Sequence, residues 1–334
     1  MNASTENPVS VPVEPGHDCR PLAGWISSFL GYFGICITTV AWLMVGGFAT
    51  ESLGEFMGVV VWVVTMPVLF LSMPVFIRLI SRGRSMRAMT AMDLLRHDRR
   101  PPVVFLRSFD DDDLIDPSFT ATNQLVPGRY ENKLARVLDS IGPVVALGRP
   151  GESHPELGAA RLYVKDENWR QAISELIDDA ALVVAIVGDS PGLWWEIEFS
   201  MNRVPGERLL FFFPYPAPEK TRRSYWRTAF LQNPLWGRFL RRRLFTEMEA
   251  RRQARYDEFR SRINAGLPHP LPETLGDARF IAFSHQGQPW LIKPAKPSML
   301  TRIMTLNFDP QLDIPFKREL EPVVSAKKYR PVSA

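Results

Sequence analysis

The stretch Ala181-Leu-Val-Val-Ala-Ile-Val-Gly-Asp-Ser-Pro-Gly-Leu-Trp-Trp-Glu-Ile-Glu-Phe199 decides how this chain folds. Its first seven residues, Ala181 to Val187, are apolar without a break, the pattern of a strand buried on both faces. The segment behind it gathers Trp194, Trp195, Glu196 and Glu198 and reads as the helix that follows. Upstream, Val103 to Leu106 reads as a first buried strand and Pro143 to Leu147 as a second. Between them Tyr130 to Asp139 carries a helical stripe at positions 130, 134, 137, 138 and 141. Asn168 to Ile177 repeats that stripe at 169, 172, 173, 176 and 177, with Asp166 as the expected N-cap. Downstream, Arg208 to Phe213 is a fourth strand, and Asp277 to Phe283 and Pro289 to Lys293 read as late strands. Strands that alternate with helices and are apolar on both faces predict an α/β fold, a parallel sheet covered on both sides. Ligands of such sheets bind beyond the carboxyl ends of the strands, which puts Ser108 to Asp113 and Gly188 to Glu198 on one rim.

Two stretches ahead of this domain lack any charge, Pro21 to Thr50 and Phe56 to Ile77. As helices, both are long enough to cross a hydrocarbon core of ~30 Å, which takes about 20 apolar residues. Only Thr50 to Glu55 links them, so the expected arrangement is an α-helical transmembrane hairpin with its polar ends on one side. Arg78, Arg82, Arg84 and Arg87 follow the second stretch, whereas the link carries Glu51 and Glu55 and no base. The positive-inside rule then places both termini in the cytoplasm, at the inner membrane, with the lipid bilayer as a partner. The expected divisions are a tail over 1–20, the hairpin over 21–80, a basic connector over 81–100 and the α/β domain over 101–216. A basic helical segment with the last strands covers 217–295, and a C-terminal tail 296–334.

Across 334 residues, 40 Lys and Arg stand against 36 Asp and Glu, but arginine is unevenly spread. Glu219 to Ile263 concentrates it, interleaved with Tyr225, Trp226, Phe230, Trp236 and Phe239. Such a segment could contact nucleic acid through phosphates and stacking. With two apolar spans ahead of it, a membrane-surface or helix-packing role is the better reading. Two cysteines, Cys19 and Cys36, give no disulfide framework, and the five histidines show no metal-ligand spacing. Asp110 to Asp113 reads as a solvated acidic loop. A magnesium site there would need a downstream lysine and a second acidic cluster.

The order of segments resembles a TIR (Toll/interleukin-1 receptor) domain over about Pro101 to Pro214. Val103-Val-Phe-Leu-Arg-Ser-Phe-Asp-Asp111 is similar to the family's opening strand and acidic loop, Tyr130 to Ser140 to its first helix, and Val144 to Leu147 to its second strand. Trp169 to Val187 resembles its next helix and strand. Gly188 to Phe199 stands where the family carries S-x-x-W-C-x-x-E-L, with Trp195 in place of the cysteine. The resemblance implies a flavodoxin-like sheet in a bacterial, membrane-anchored TIR-like protein that self-associates through this domain. It further implies an NAD-cleaving effector (an NAD nucleosidase) in stress or phage defence, with NAD as substrate and no permanently bound cofactor. The family's catalytic glutamate lies four residues beyond a tryptophan, which from Trp194 is Glu198; Glu196, nearer the strand's rim, is the rival.

Breaking the nicotinamide–ribose bond builds oxocarbenium character, which a carboxylate stabilises. Trp194 or Trp195 would then wall the pocket, Arg107, Ser108, Phe109 and Asp110 would line the facing edge, and Ser190 would contact substrate. Helix positions 196 and 198 point about 200° apart, so at most one of the two glutamates faces that pocket. The competing reading is a non-catalytic TIR-like scaffold that assembles proteins at the membrane.

Overall fold

The computed structural model describes residues 9–13, 20–108, 130–148, 158–214 and 237–293, which belong to two compact units. The helical unit holds α1 (Pro21–Leu53) and α2 (Glu55–Ser85), packed along each other. Gly54 links them at φ +85°, a conformation that glycine adopts without a Cβ penalty. Close approach depends on small residues, because a Cβ on Gly83 would sit 2.4 Å from the Gly24 carbonyl oxygen. Trp42 and Trp62 meet edge to face at 4.4 Å. At the other end Arg87 donates to the Ser28 hydroxyl at 3.1 Å and lies 4.1 Å above the Trp25 ring.

Polar side chains inside the apolar stretches satisfy themselves locally. Thr38, Thr39, Thr50 and Thr65 each donate their hydroxyl to the carbonyl four residues back, at 2.7–2.9 Å. Outward, α1 presents Leu22, Trp25, Ile26, Phe29 and Phe33 with half or more of their surface exposed. Among the described residues α1 is the one helix long and apolar enough to cross a membrane. The second expected span, Phe56–Ile77, lies inside α2.

In the α/β unit, α3 (Ala91–His97) precedes β1 (Val103–Leu106), α4 (Tyr130–Leu138), β2 (Val144–Leu147) and β3 (Ala160–Leu162). There follow α5 (Trp169–Asp179), β4 (Leu182–Ile186), α6 (Pro191–Arg203), β5 (Leu209–Phe212), α7 (Gly237–Ile263), β6 (Phe280–Phe283) and β7 (Pro289–Ile292). The strands form one sheet in the order β3-β2-β1-β4-β5-β6-β7. The first five are parallel, while β6 and β7 run antiparallel at the end.

Alternate residues of each strand enter opposite cores, as the two-residue period of a pleated strand demands. Val104, Leu106, Val183, Ala185 and Phe211 face one core, with Ile173 and Ile177 of α5, Leu193 and Ile197 of α6, and Tyr256 and Phe259 of α7. Val103, Phe105, Val184, Ile186 and Phe212 face the other, with Leu134 and Leu138 of α4. The fold is therefore α/β with a mostly parallel sheet bearing helices on both faces.

Two details differ from the sequence reading, and a third decides between its alternatives. β3 was not expected: it is three residues long and its middle residue is Arg161, whose burial at 2 % exposure no apolar pattern announces. α5 is capped at Asn168 rather than Asp166, because a turn from the Lys165 carbonyl to the Asn168 amide (2.9 Å) delays its start. In the basic segment, the second half of α7 takes the helix-packing role that the sequence allowed. α7 buries Tyr256, Phe259 and Ile263, and the buried Arg252 caps the carbonyls of Ala278, at 3.0 Å, and Gly276. Expectations placed on 109–129, 149–157, 215–236 and 294–334, including the acidic loop and the C-terminal tail, lie outside the described residues.

Candidate functional site

The chain leaves β1 to build β2 and β3 on one side and returns to build β4 on the other. That reversal makes a switch point at the carboxyl ends of β1 and β4, the place where open α/β sheets bind ligands. On the β1 side the rim carries Arg107, half-buried, and Ser108, buried at 4 % exposure. Phe109 and Asp110, the next two expected contacts, lie outside the described residues. On the β4 side the rim is Val187 to Ser190, which opens α6, and α6 reaches across to touch β1.

Ser190 is the N-cap of α6: its hydroxyl accepts the Leu193 amide at 3.3 Å, with Pro191 in the first turn. This fixes the helical phase. Leu193, Trp194, Glu196, Ile197 and Ser200 turn inward, whereas Glu198 is exposed. Glu196 keeps only 8 % of its surface, and no hydrogen bond or ion pair joins its carboxyl group to another described residue. Burial disfavours the charged form and pushes its pKa up to about 8. An ionisable group buried without a partner is costly to the fold, and such groups concentrate at functional sites.

The two tryptophans part company. Trp194 packs on Phe259 of α7 at 5.8 Å, under the Arg262 guanidinium at 4.4 Å, and its buried indole N–H has no acceptor among the described residues. Trp195, half-buried, meets Trp169 of α5 edge to face at 5.2 Å and stacks on Phe199 at 5.2 Å. Arg170 lies 5.3 Å from the Trp195 ring. Only Trp195 therefore stands on the α5 side of α6, and Trp194 is tied to α7. One contact at the rim was not anticipated, an ion pair of 3.6 Å between Asp189 and Arg255. The two lie in different elements far apart in sequence, and a run of arginines gives no sign of which one will reach the rim. No group of three or more His, Cys, Asp or Glu that could hold a metal ion occurs among the described residues. Compared with known protein families, curated proteins and solved structures, the chain matches none.

Proposed function

We propose that this chain is a membrane-anchored, TIR-like NAD nucleosidase with Glu196 as its catalytic carboxylate. The observation that carries the proposal is the buried, unpartnered carboxyl group of Glu196 on α6, the helix that follows β4 at the β1–β4 switch point. In the reaction the C1′–N bond of NAD breaks with its electron pair leaving on nicotinamide. Water then bonds to C1′ and releases a proton, giving ADP-ribose. Cationic character on the ribose calls for an anion nearby, and a carboxylate in a water-poor site acts more strongly than one in solvent. Approach of the cationic nicotinamide ring draws Glu196 into its ionised form, so the cost of burying the charge is offset only when substrate is bound. Ser108 and Arg107 would face the ribose side, and Trp195 would border the ring.

The sheet is read as flavodoxin-like, and α1 with α2 as a hairpin anchor whose two ends face the cytoplasm. The apolar exterior of α1 and its self-satisfied threonines support a lipid-facing role. In the family's manner, self-association would regulate this effector in stress or phage defence.

The test is NAD loss by the full chain in lipid nanodiscs, at low and high protein density. Wild type and Glu198→Gln should release nicotinamide, and Glu196→Gln should lose at least about a hundredfold, as removal of a transition-state electrostatic group does. Turnover that survives Glu196→Gln overturns the assignment. A second reading, a non-catalytic assembly module, draws support from the capping of α6 by Ser190 and the packing of Trp194 on α7, which give two expected substrate contacts structural work. Absence of nicotinamide release at every density would favour it.

A further inference from the structure

The first edge of the sheet is met by the chain's own N-terminus. β3 has β2 on one side only, and just past its end Val164 forms an antiparallel bridge with Val13. In the segment Val9-Ser-Val-Pro-Val13 the backbone bends at Val9 to Val11 and reaches the sheet edge at Val13. Val9 and Val11 are buried at 1 % and 6 % exposure, in the same core as Leu162, Val164, Ile173 and Ile177, and Val13 packs against it. Ser10 points the other way and is gripped by α5. Its amide donates to Glu175 Oε2 at 2.7 Å, its hydroxyl donates to Oε1, and Gln171 Nε2 donates to the Ser10 hydroxyl at 3.1 Å. Desolvation alone would raise the Glu175 pKa, but these hydrogen bonds outweigh it and hold the carboxyl below its ordinary range. Pro12 has no amide hydrogen, so the docked segment offers a broken donor row to any further strand.

None of these contacts depends on the segment being joined to the domain through the backbone. They are the contacts of a bound peptide: two buried valines, one polar clamp on α5 and one bridge to the sheet edge. We propose that the β3–α5 edge is a peptide-binding site for an apolar–Ser–apolar–Pro–apolar segment, that Val9–Val13 occupies it as an exchangeable latch, and that its exchange partner is the same segment of a second copy of this chain. The occupant in place defines the chemistry that fits, and every copy carries that sequence. Exchange between copies would give a closed, two-fold swapped pair. This inference does not rest on the catalytic role of Glu196.

The test uses the full chain in detergent. Ser10→Glu sets a carboxylate against Glu175 and should raise amide exchange at Val11, Val13 and Val164 by at least about tenfold, the effect of losing a charged hydrogen bond and gaining a like charge. Unchanged exchange in β4 would show that the fold persists. A fluorescent peptide of residues 6–16 should bind the Ser10→Glu chain at least about tenfold more tightly than wild type, whose latch occupies the site. Adding Glu175→Lys to Ser10→Glu should reseat the latch, restore protection and expel the peptide. A differently tagged wild-type copy should pair with the Ser10→Glu chain through its own segment. Unchanged exchange, failure of the charge swap to restore protection, or no peptide binding would overturn the latch. Peptide binding without pairing of copies would overturn the second-copy partner.

Discussion

A carboxyl group that is 8 % exposed and lacks a partner makes the domain's stability depend on pH in an unusual direction. Unfolded, Glu196 ionises near 4.5; folded, burial delays ionisation to about 8. Between those values the native state binds the extra proton, so this group makes stability fall as pH rises, fully favourable below about 4.5 and levelling off above about 8. The cost at high pH is on the order of several kcal/mol. Glu196→Gln cannot ionise and should lose this slope. Urea midpoints of the two proteins, compared from pH 5 to 9, should diverge as pH rises and run parallel beyond about 8; a constant difference would show that Glu196 is hydrated. The same residue separates the two glutamates in a way that spacing from a tryptophan could not. Position 196 lies on the stripe of Leu193, Ile197 and Ser200, while position 198 lies off it. The phase of α6 is set by the Ser190 cap, so which of the two glutamates is buried follows from where that cap falls.

At the scale of elements, α1 and α2 depend on the absence of side chains where they cross. Gly83→Ile would drive a branched side chain into the Gly24 carbonyl and should cost at least about 1–3 kcal/mol, the usual penalty for overpacking. Gly47, with nothing near its would-be Cβ, is the control, and Gly47→Ala should leave thermal unfolding in detergent unchanged or slightly raised. α7 makes the opposite point. Phe259 is fully buried and touches Trp194, Phe211 and Phe213, so Phe259→Ala should cost about 3–5 kcal/mol by the cavity it leaves. A variant as stable as wild type in denaturant would mean that the C-terminal half of α7 is an appendage after all. Its composition left membrane-surface and helix-packing roles side by side, since nine arginines draw the eye more than three apolar residues at helical spacing do. The period of Tyr256, Phe259 and Ile263 was present in the sequence, masked by the charge around it.

For the whole molecule, anchor and domain make separate demands on the chain. If both ends of the hairpin face the cytoplasm, the Glu51–Glu55 link is external. A chain with Cys19 and Cys36 replaced by serine and Ser52→Cys added should then react with a membrane-impermeant maleimide in intact spheroplasts. A cysteine at Ser284, in the α/β unit, should react only after lysis. Labelling in the reverse sense would refute the orientation, and labelling of both from outside would remove the anchor reading.

The amino-acid sequence by itself determined the α/β class, four parallel strands and the helices between them, because uninterrupted apolar runs and 3.6-residue stripes are local patterns written in adjacent residues. It also marked α1 as a helix of membrane length. Tertiary structure alone decided the rest. β3 and its buried Arg161, the inward turn of Glu196 beside an exposed Glu198, the seating of α7 on the sheet and the return of Val9–Val13 to its edge all depend on neighbours distant in sequence. Burial is a property of what lies on the other side of a residue, and only the folded chain supplies that other side.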